Sequence, residues 1–201
     1  MEDALIFVDD GFFKLVKKYF EEKSKKKKRF LQTFRNICKK ENLNLKHLFI
    51  YSAPPYQSEN PFDKENKLKK DYDKIKKMLK NKKWITLREG RCQRLKIDGE
   101  YKFFQKGVDI LLAVDLMRFQ KEFSNVNKII LILCDSDFVP AINQLKKEGI
   151  EVILYTYFER KRDSKFSRYN ELLKVASKWV KMNEVLFEDN LLNIERRKDV
   201  Q

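Results

Sequence analysis

The chain has 201 residues, of which 42% are hydrophobic and 13% aromatic, so it can bury one good core but is short for several large domains. Its 45 lysines and arginines against 30 acidic residues give a formal charge of +15, which attracts polyanions and makes nucleic acid the first expected partner. No run approaches the roughly 18 apolar residues that span a bilayer, and the acidic start is unlike a signal peptide, so we expect a cytoplasmic protein without a membrane partner.

The first half of the chain is predicted to alternate strands with helices. Apolar runs bounded by turn residues predict strands at residues 5–8, 47–52 and 84–87. Apolar residues at helical spacing predict helices at residues 12–20, 30–40 and 60–83. The last of these helices is rich in lysine and therefore has a strongly basic exposed face.

The second half begins with a predicted β-hairpin at residues 91–97 and 100–104, because Asp98-Gly99 between them suits a type I′ turn. Strands are then predicted at residues 128–133 and 152–155, and helices at 108–119, 140–148 and 172–179. A strand, helix and strand this close together require a parallel crossover, so the expected fold is an α/β three-layer sandwich with a mainly parallel sheet and a hairpin excursion. We expect one domain over residues 1–180 and a tail with basic and acidic residues over 181–201.

Four aspartates occupy similar positions in these predicted elements. Asp9 and Asp135 each follow a buried strand directly, Asp137 lies two residues further on, and Asp109 begins a helix after a Lys-Gly turn. Because the carboxyl ends of parallel strands meet at one edge of a sheet, we expect the four carboxylates to lie there together. Crowded carboxylates repel one another unless a cation is bound, and hard oxygen ligands suit Mg²⁺ or Mn²⁺. Such ions activate water and stabilise the charge on a scissile phosphate.

Simpler explanations of the same residues stay open. An aspartate after a strand is often the N-cap of the next helix, which accounts equally well for Asp9 or Asp135 taken singly. A phosphohydrolase that forms an aspartyl-phosphate on Asp135 is a weaker alternative, because the downstream Thr or Ser and Lys of such enzymes are missing. Three widely spaced cysteines and one histidine, His47, form neither a convincing disulfide framework nor a zinc site, so any metal is expected to be oxygen-bound.

Three sequence blocks resemble the signature blocks of a known family. Residues 7–13 (FVDDGFF), 105–115 (QKGVDILLAVD) and 134–140 (CDSDFVP) are similar in order and spacing to NYN-domain proteins of the LabA-like group, relatives of PIN nucleases. The resemblance implies a Rossmann-like, PIN-like sheet, an acidic pocket for Mg²⁺ or Mn²⁺, and endonucleolytic cleavage of RNA.

Mapped block by block, the resemblance assigns the catalytic and metal-binding roles to Asp9, Asp109, Asp135 and Asp137. Supporting roles go to Asp115, Ser136 and Asp10. Asp115 is a recurrent acid of the family, but six residues along a helix turn it about 120° away from Asp109. Asp10 stands where glycine is common and either joins the site or faces solvent. Leu133-Cys134 replaces Ser-Gly, and Ser177 replaces a frequent acid, so activity could be reduced.

An acidic pocket repels RNA, so cations around it are expected to hold the substrate. We assign this role to Lys106, which the second block sets beside Asp109, and to Arg91 and Arg94. Further basic segments are found at residues 23–29, 64–83 and 159–168. Interleaved aromatic residues favour single-stranded RNA, with tRNA-like RNA or DNA as alternative substrates. The competing hypothesis is a catalytically impaired NYN module that binds RNA for a regulatory purpose, and a homodimer is left open.

Overall fold

A parallel sheet forms the centre of the protein in the computed structural model, which describes residues 1–26, 29–159, 166 and 169–188. The strands are β1 (Glu2–Asp9), β2 (Leu43–Ser52), β3 (Ile85–Glu89), β4 (Arg91–Ile97), β5 (Glu100–Lys106), β6 (Lys128–Ile132), β7 (Glu151–Thr156) and β8 (Lys178–Lys181). Six of them form the sheet in the order β3-β2-β1-β6-β7-β8, with every neighbouring pair parallel. Strands β4 and β5 form a separate antiparallel hairpin.

Helices cover both faces of the sheet. They are α1 (Asp10–Ser24), α2 (Phe30–Lys40), α3 (Asp63–Lys80), α4 (Val108–Leu116), α5 (Val139–Lys147) and α6 (Asn170–Val175), with 3₁₀ turns at Phe119–Lys121, Ser136–Phe138 and Glu184–Phe187. One buried cluster joins the sheet to α1 and α2, and a second joins its other face to α4, α5 and α6. None of these helices, in the part of the chain that is described, is long and apolar enough to cross a membrane.

The apolar runs in the central strands follow from this layering. In β1, Ile6 and Val8 point into the first cluster, whereas Leu5 and Phe7 point into the second. A strand buried on both faces needs apolar residues at every position, not at alternate ones. The Phe7 ring also stacks on Phe49 of β2, with the ring centroids 4.7 Å apart.

The predicted fold class is confirmed, as are the hairpin and the alternation of strands with helices. At the turn of the hairpin, Asp98 and Gly99 have φ values of 51° and 83°, as a type I′ turn requires. The last predicted helix is wrong in extent, because α6 ends at Val175 and Trp179 lies on β8. Strand β8 has four largely exposed residues at the sheet edge, so it has no apolar run from which it could be predicted.

The domain boundary predicted at residue 180 stays a prediction, and part of the predicted tail, residues 189–201, lies outside the described residues. Met182, Leu186 and Phe187 are almost fully buried in the cluster beneath α1 and α2. Asn36 of α2 also donates to the carbonyl oxygens of Leu186 and Glu188, at 3.1 and 2.7 Å. We therefore propose that the domain extends beyond Phe187.

Candidate active site

Asp9 ends β1 and caps the helix that follows it. Its Oδ1 atom accepts hydrogen bonds from the backbone N–H groups of Gly11 at 2.9 Å and Phe12 at 3.3 Å. These two bonds satisfy donors that the first turn of α1 would otherwise leave unpaired. They engage one carboxylate oxygen, so the cap fixes the direction of Asp9 without using Oδ2.

Asp135 has the same arrangement after the neighbouring strand β6. Its Oδ1 accepts from the backbone N–H of Asp137 at 2.9 Å and caps the 3₁₀ turn Ser136–Phe138. Asp135 and Ser136 are half-buried, whereas Asp137 is exposed. Because β1 and β6 are paired, the two caps lie side by side at the carboxyl edge of the sheet.

Asp109 reaches this edge from a different part of the chain. It is an exposed residue in the first turn of α4. This helix begins directly after Gly107, whose φ of 80° suits glycine. Burial raises the pKa of Asp109, and the negative charges of Asp135 and Asp137 raise it further. These three carboxylates are therefore close enough to repel one another.

The pKa of Asp9 is raised to about 6, first by burial and then by the charges of Asp109 and Asp10. The hydrogen bonds from Phe12 and Gly11 oppose this rise. Within the described part of the chain, none of Asp9, Asp109, Asp135 and Asp137 has a lysine or arginine within ion-pair distance. Four uncompensated carboxylates at one edge are unusual in a protein with a charge of +15.

The chemistry of this group fits a magnesium or manganese ion, but the spacing alone does not form a closed cage. Among residues 1–26, 29–159, 166 and 169–188, no three acidic, histidine or cysteine side chains are gathered closely enough to enclose a metal ion. Mg²⁺ commonly uses one or two carboxylates and completes its shell with water and substrate phosphate. The carboxylates at this edge provide donors of that kind.

Asp10 is buried, so the expectation that it faces solvent is wrong, whereas its supporting role at the site stays a prediction. Its side chain is buried, accepts a hydrogen bond from Ser52 Oγ at 2.5 Å, and pairs with Lys14 Nζ at 2.6 Å. Its Oδ1 atom has no hydrogen-bond partner among the described residues. Asp10 lines a cavity of about 160 Å³ between α1 and α3, together with Tyr72 and Leu79.

Asp115 also lies in a different environment from the one expected. Arg88 donates to it through Nε at 2.9 Å and Nη2 at 3.3 Å, and the Tyr51 hydroxyl donates at 3.0 Å. Arg88 and Asp115 border a pocket of about 340 Å³ that is also lined by Arg118. Asp115 therefore balances the charge of Arg88, and its supporting role at the site stays a prediction.

Gln105 lies beside Asp9 and was not predicted as a site residue. A Cβ atom added to Gly11 would lie 3.2 Å from both Asp9 Oδ1 and Gln105 Nε2, so the Gln105 amide covers the first turn of α1. Its position at the start of the second sequence block, residues 105–115, was the one indication in the sequence that Gln105 belongs near the site. The fold of the hairpin, which turns the end of β5 back towards β1, could not be read from that block.

The base of the hairpin is packed tightly onto the sheet edge. Gly90 donates its backbone N–H to Ser52 O at 2.9 Å, and a Cβ atom there would lie only 2.5 Å from Lys106 O. Lys106 and Arg91 are paired across the two strands, exposed, and border a shallow groove of about 570 Å³ with Gly107. Their assignment as phosphate contacts stays a prediction.

Arg94 lies further along the hairpin, with its guanidinium carbon 4.6 Å from the ring centre of Tyr56 and 4.4 Å from that of Tyr101. The predicted basic segments 23–29 and 159–168 fall partly on residues 27, 28, 160–165, 167 and 168, which lie outside the described residues. The lysines of α3 are described, and several of them pair with acids of the same helix.

The cysteines and the histidine do not contribute a nucleophile or a metal ligand set. Burial raises the pKa values of Cys38 and Cys134 to about 12, which keeps both thiols protonated. His47 shares a hydrogen bond of 2.8 Å with Thr86 Oγ1, and burial lowers its pKa. Cys38 is buried on α2, as expected for a small apolar residue, and His47 lies on β2.

Comparisons with known proteins found a family and a solved structure to which the chain is similar. The family model of the NYN domain matches residues 18–177, a range that contains Asp109, Asp135 and Asp137 and begins after Asp9. A protein of unknown function from Vibrio parahaemolyticus RIMD 2210633 has a similar structure, with a TM-score of 0.53 and 14% sequence identity over 90% of this chain and 93% of that chain. At this identity the likeness shows the fold alone. No curated protein matches the sequence.

Proposed function

Because this chain belongs to the NYN domain family, within the PIN-like nuclease superfamily, we propose that it is a metal-dependent endoribonuclease acting through Asp9, Asp109, Asp135 and Asp137. One observation carries the proposal. Separate loops bring four aspartates to one sheet edge without a lysine or arginine partner among the described residues, while the nearby Asp10 and Asp115 are each paired with a cation. Carboxylates left unpaired in this way are suited to a divalent cation.

The helix caps fix the positions of two of the four aspartates. Asp9 and Asp135 are held rigidly by backbone N–H groups, so they present their carboxylates at little cost in conformational entropy. Asp109 and Asp137 contribute from the adjoining turns. When bound, Mg²⁺ or Mn²⁺ supplies charge neutralisation at the scissile phosphate and lowers the pKa of bound water. In the metal-free protein the pKa of Asp9 is raised to about 6, so Asp9 is ionised at neutral pH, and a bound divalent cation would favour this charged form further.

The exposed cations at the hairpin base complete the site. Lys106 and Arg91 lie across from each other at the end of the hairpin next to Gly107 and α4. We assign them contacts to phosphates beside the cleavage point, because cations next to the aspartates offset the repulsion between RNA and these acids. Gln105 is proposed to hold substrate or water over Asp9 through its amide.

The test is cleavage of a labelled single-stranded RNA and a DNA of the same sequence in Mn²⁺, Mg²⁺ or EDTA. Wild-type protein should cleave RNA only with a metal ion, and Asp135→Asn should lower the rate by a factor of about 100 or more. Asp71→Asn is the matched control, since Asp71 is an exposed residue of α3 whose ion pair, within the described part of the chain, is with Lys74. Cleavage that persists in EDTA, or equal loss in the control, would contradict the proposal.

A second candidate function is an RNA-binding module with an impaired site. The observation that favours it is the lack of a three-ligand cluster within the described residues, together with the replacement of a small polar pair by Leu133-Cys134. This function requires RNA binding without cleavage in either metal ion. It also requires Asp135→Asn to bind RNA as tightly as the wild-type protein.

A further inference from the structure

The hairpin of β4 and β5 exposes large aromatic side chains to solvent. Tyr101 is 57% exposed and Phe103 is 56% exposed, and every residue of β5 is exposed to solvent. An isolated two-stranded hairpin is only marginally stable in water, so exposed rings on it are a cost to the free protein. Such a cost is expected where a partner covers the rings.

Both rings lie on the same face of the hairpin. The strand register pairs Phe103 with Arg94 and Tyr101 with Lys96, and side chains of paired residues project to the same side. Gln105 lies two residues after Phe103 and is paired with Cys92, so its side chain projects from the same face. We call the residues Cys92, Arg94, Lys96, Tyr101, Phe103 and Gln105 the inner face. It carries two cations and no acidic residue.

The inner face begins at the aspartates and leads away from them. Gln105 covers Gly11 next to Asp9, as its distance of 3.2 Å from a Cβ atom at Gly11 shows. Residues on one face of a strand are about 7 Å apart, so Phe103 and Tyr101 follow Gln105 at about 7 and 14 Å. The rings are therefore arranged in a row whose first member adjoins the candidate active site.

Contacts within this face hold the row in position. The Arg94 guanidinium lies between the rings of Tyr56 and Tyr101, and the Tyr56 ring is 5.7 Å from that of Phe103. Tyr56 comes from the loop between β2 and α3, so the hairpin is attached to the domain along its length as well as at its base. Side chains ordered before binding lose less entropy when a ligand arrives.

We propose that the inner face is a platform on which the bases of single-stranded RNA stack while a neighbouring phosphate lies at the aspartates. This proposal rests on the proposed function, because it takes Asp9 as one end of the path. Flat aromatic rings beside arginine and lysine match the bases and phosphates of a single strand, whereas paired bases are stacked inside a duplex and cannot reach the rings. The platform thus selects single strands.

The hairpin supplies a control of its own. Phe104 follows Phe103 directly but projects from the opposite face, where it is 38% exposed and pairs with Gln93. Loss of Phe103 and loss of Phe104 remove the same ring from neighbouring positions. Only the first should affect RNA if the inner face is the platform.

Binding is measured by fluorescence anisotropy in EDTA with full-length Asp135→Asn protein, so that cleavage does not interfere. The probes are a short labelled single strand, the same strand annealed to its complement, and a single strand with abasic sites. We expect Tyr101→Ala and Phe103→Ala each to weaken binding of the first probe by about fivefold or more, with little effect on the other two. Tyr101→Phe and Phe104→Ala should bind like the parent protein.

Equal loss for the single strand and the duplex, or no loss, would overturn the platform. A change in oligomeric state on removal of the rings, with RNA binding unaltered, would overturn it in favour of a contact between copies of the chain. Cleavage by the wild-type protein is measured separately. Cleavage that does not depend on the inner face refutes the platform alone, whereas face-dependent binding without cleavage supports the platform and refutes the nuclease.

Discussion

Replacing Asp9 by asparagine should stabilise the metal-free protein at neutral pH. Burial and neighbouring carboxylates raise the Asp9 pKa from 3.8 to about 6. Since one pKa unit corresponds to about 1.36 kcal/mol, ionised Asp9 costs the folded state about 3 kcal/mol. Asparagine keeps an oxygen for the N–H groups of Gly11 and Phe12, and the attraction between these groups and the charged carboxylate is already included in the pKa of Asp9. The gain of about 3 kcal/mol should raise Tm by about 6–12 °C.

The gain must depend on pH with a defined sign. Because the folded protein holds the Asp9 proton more tightly than the unfolded chain, stability is lost as pH rises from about 4 to about 6. Below that window Asp9 is protonated in both states, so asparagine has no advantage there. With a pKa of 3.8 in the unfolded chain and about 6 in the folded protein, roughly one third of the free-energy cost of ionised Asp9 is present at pH 4.5.

The assay is thermal unfolding in EDTA at pH 7.5 and at pH 4.5, followed by circular dichroism. Asp71→Asn serves as the control and should shift Tm little at either pH, because Asp71 and Lys74 are both more than half exposed. Adding Mn²⁺ should narrow the difference between Asp9→Asn and wild type, since a bound ion stabilises the folded wild-type protein. A less stable Asp9→Asn protein at pH 7.5, or an equal gain at both pH values, would refute the electrostatic reasoning.

Two further substitutions test how the surroundings of the site are built. Gly90→Ala should lower the free energy of unfolding by about 2 kcal/mol or more and weaken RNA binding, because the new Cβ would lie 2.5 Å from Lys106 O and force the hairpin base to move. Urea titration measures the stability and fluorescence anisotropy measures the binding. Unchanged stability would contradict the tight packing at Gly90. Arg88→Ala should lower the free energy of unfolding by about 1 kcal/mol yet leave the cleavage rate within about twofold, because it removes the partner of Asp115 and does not contact the four aspartates. A large loss of activity would show that Asp115 takes part in the site.

The parts of the site that the sequence predicts are those encoded by short-range pattern. An apolar run followed by an aspartate identifies a strand end, and parallel strands place such ends at one edge, which is why Asp9 and Asp135 are found from the sequence alone. Asp109 is found because a Lys-Gly turn marks the start of its helix. In each case one local signal and one general property of parallel sheets suffice.

Asp10 and Gln105 show why the rest could not be predicted. Asp10 follows Asp9 directly, yet its partners are Ser52 of the neighbouring strand and Lys14 one helical turn later, so the two adjacent acids end on different sides of the sheet. Gln105 is separated from Gly11 by more than ninety residues and approaches it only because the hairpin folds back. Both depend on contacts between segments that no periodicity in either segment encodes.

The distribution of partners among the acids is itself an argument about function. In a protein with fifteen surplus positive charges, a buried or crowded carboxylate could readily acquire a lysine or arginine, and Asp10 and Asp115 have done so. Asp9 and Asp109 instead have other acids as neighbours. Burial raises the pKa values of both residues and the neighbouring acids raise them further, which lowers the stability of the folded protein at neutral pH. An arrangement that reduces stability is retained where the free carboxylates are needed for binding or catalysis. The same reasoning applies to the exposed rings of the inner face, which adjoin these acids through Gln105, so the path that we propose for RNA connects both features.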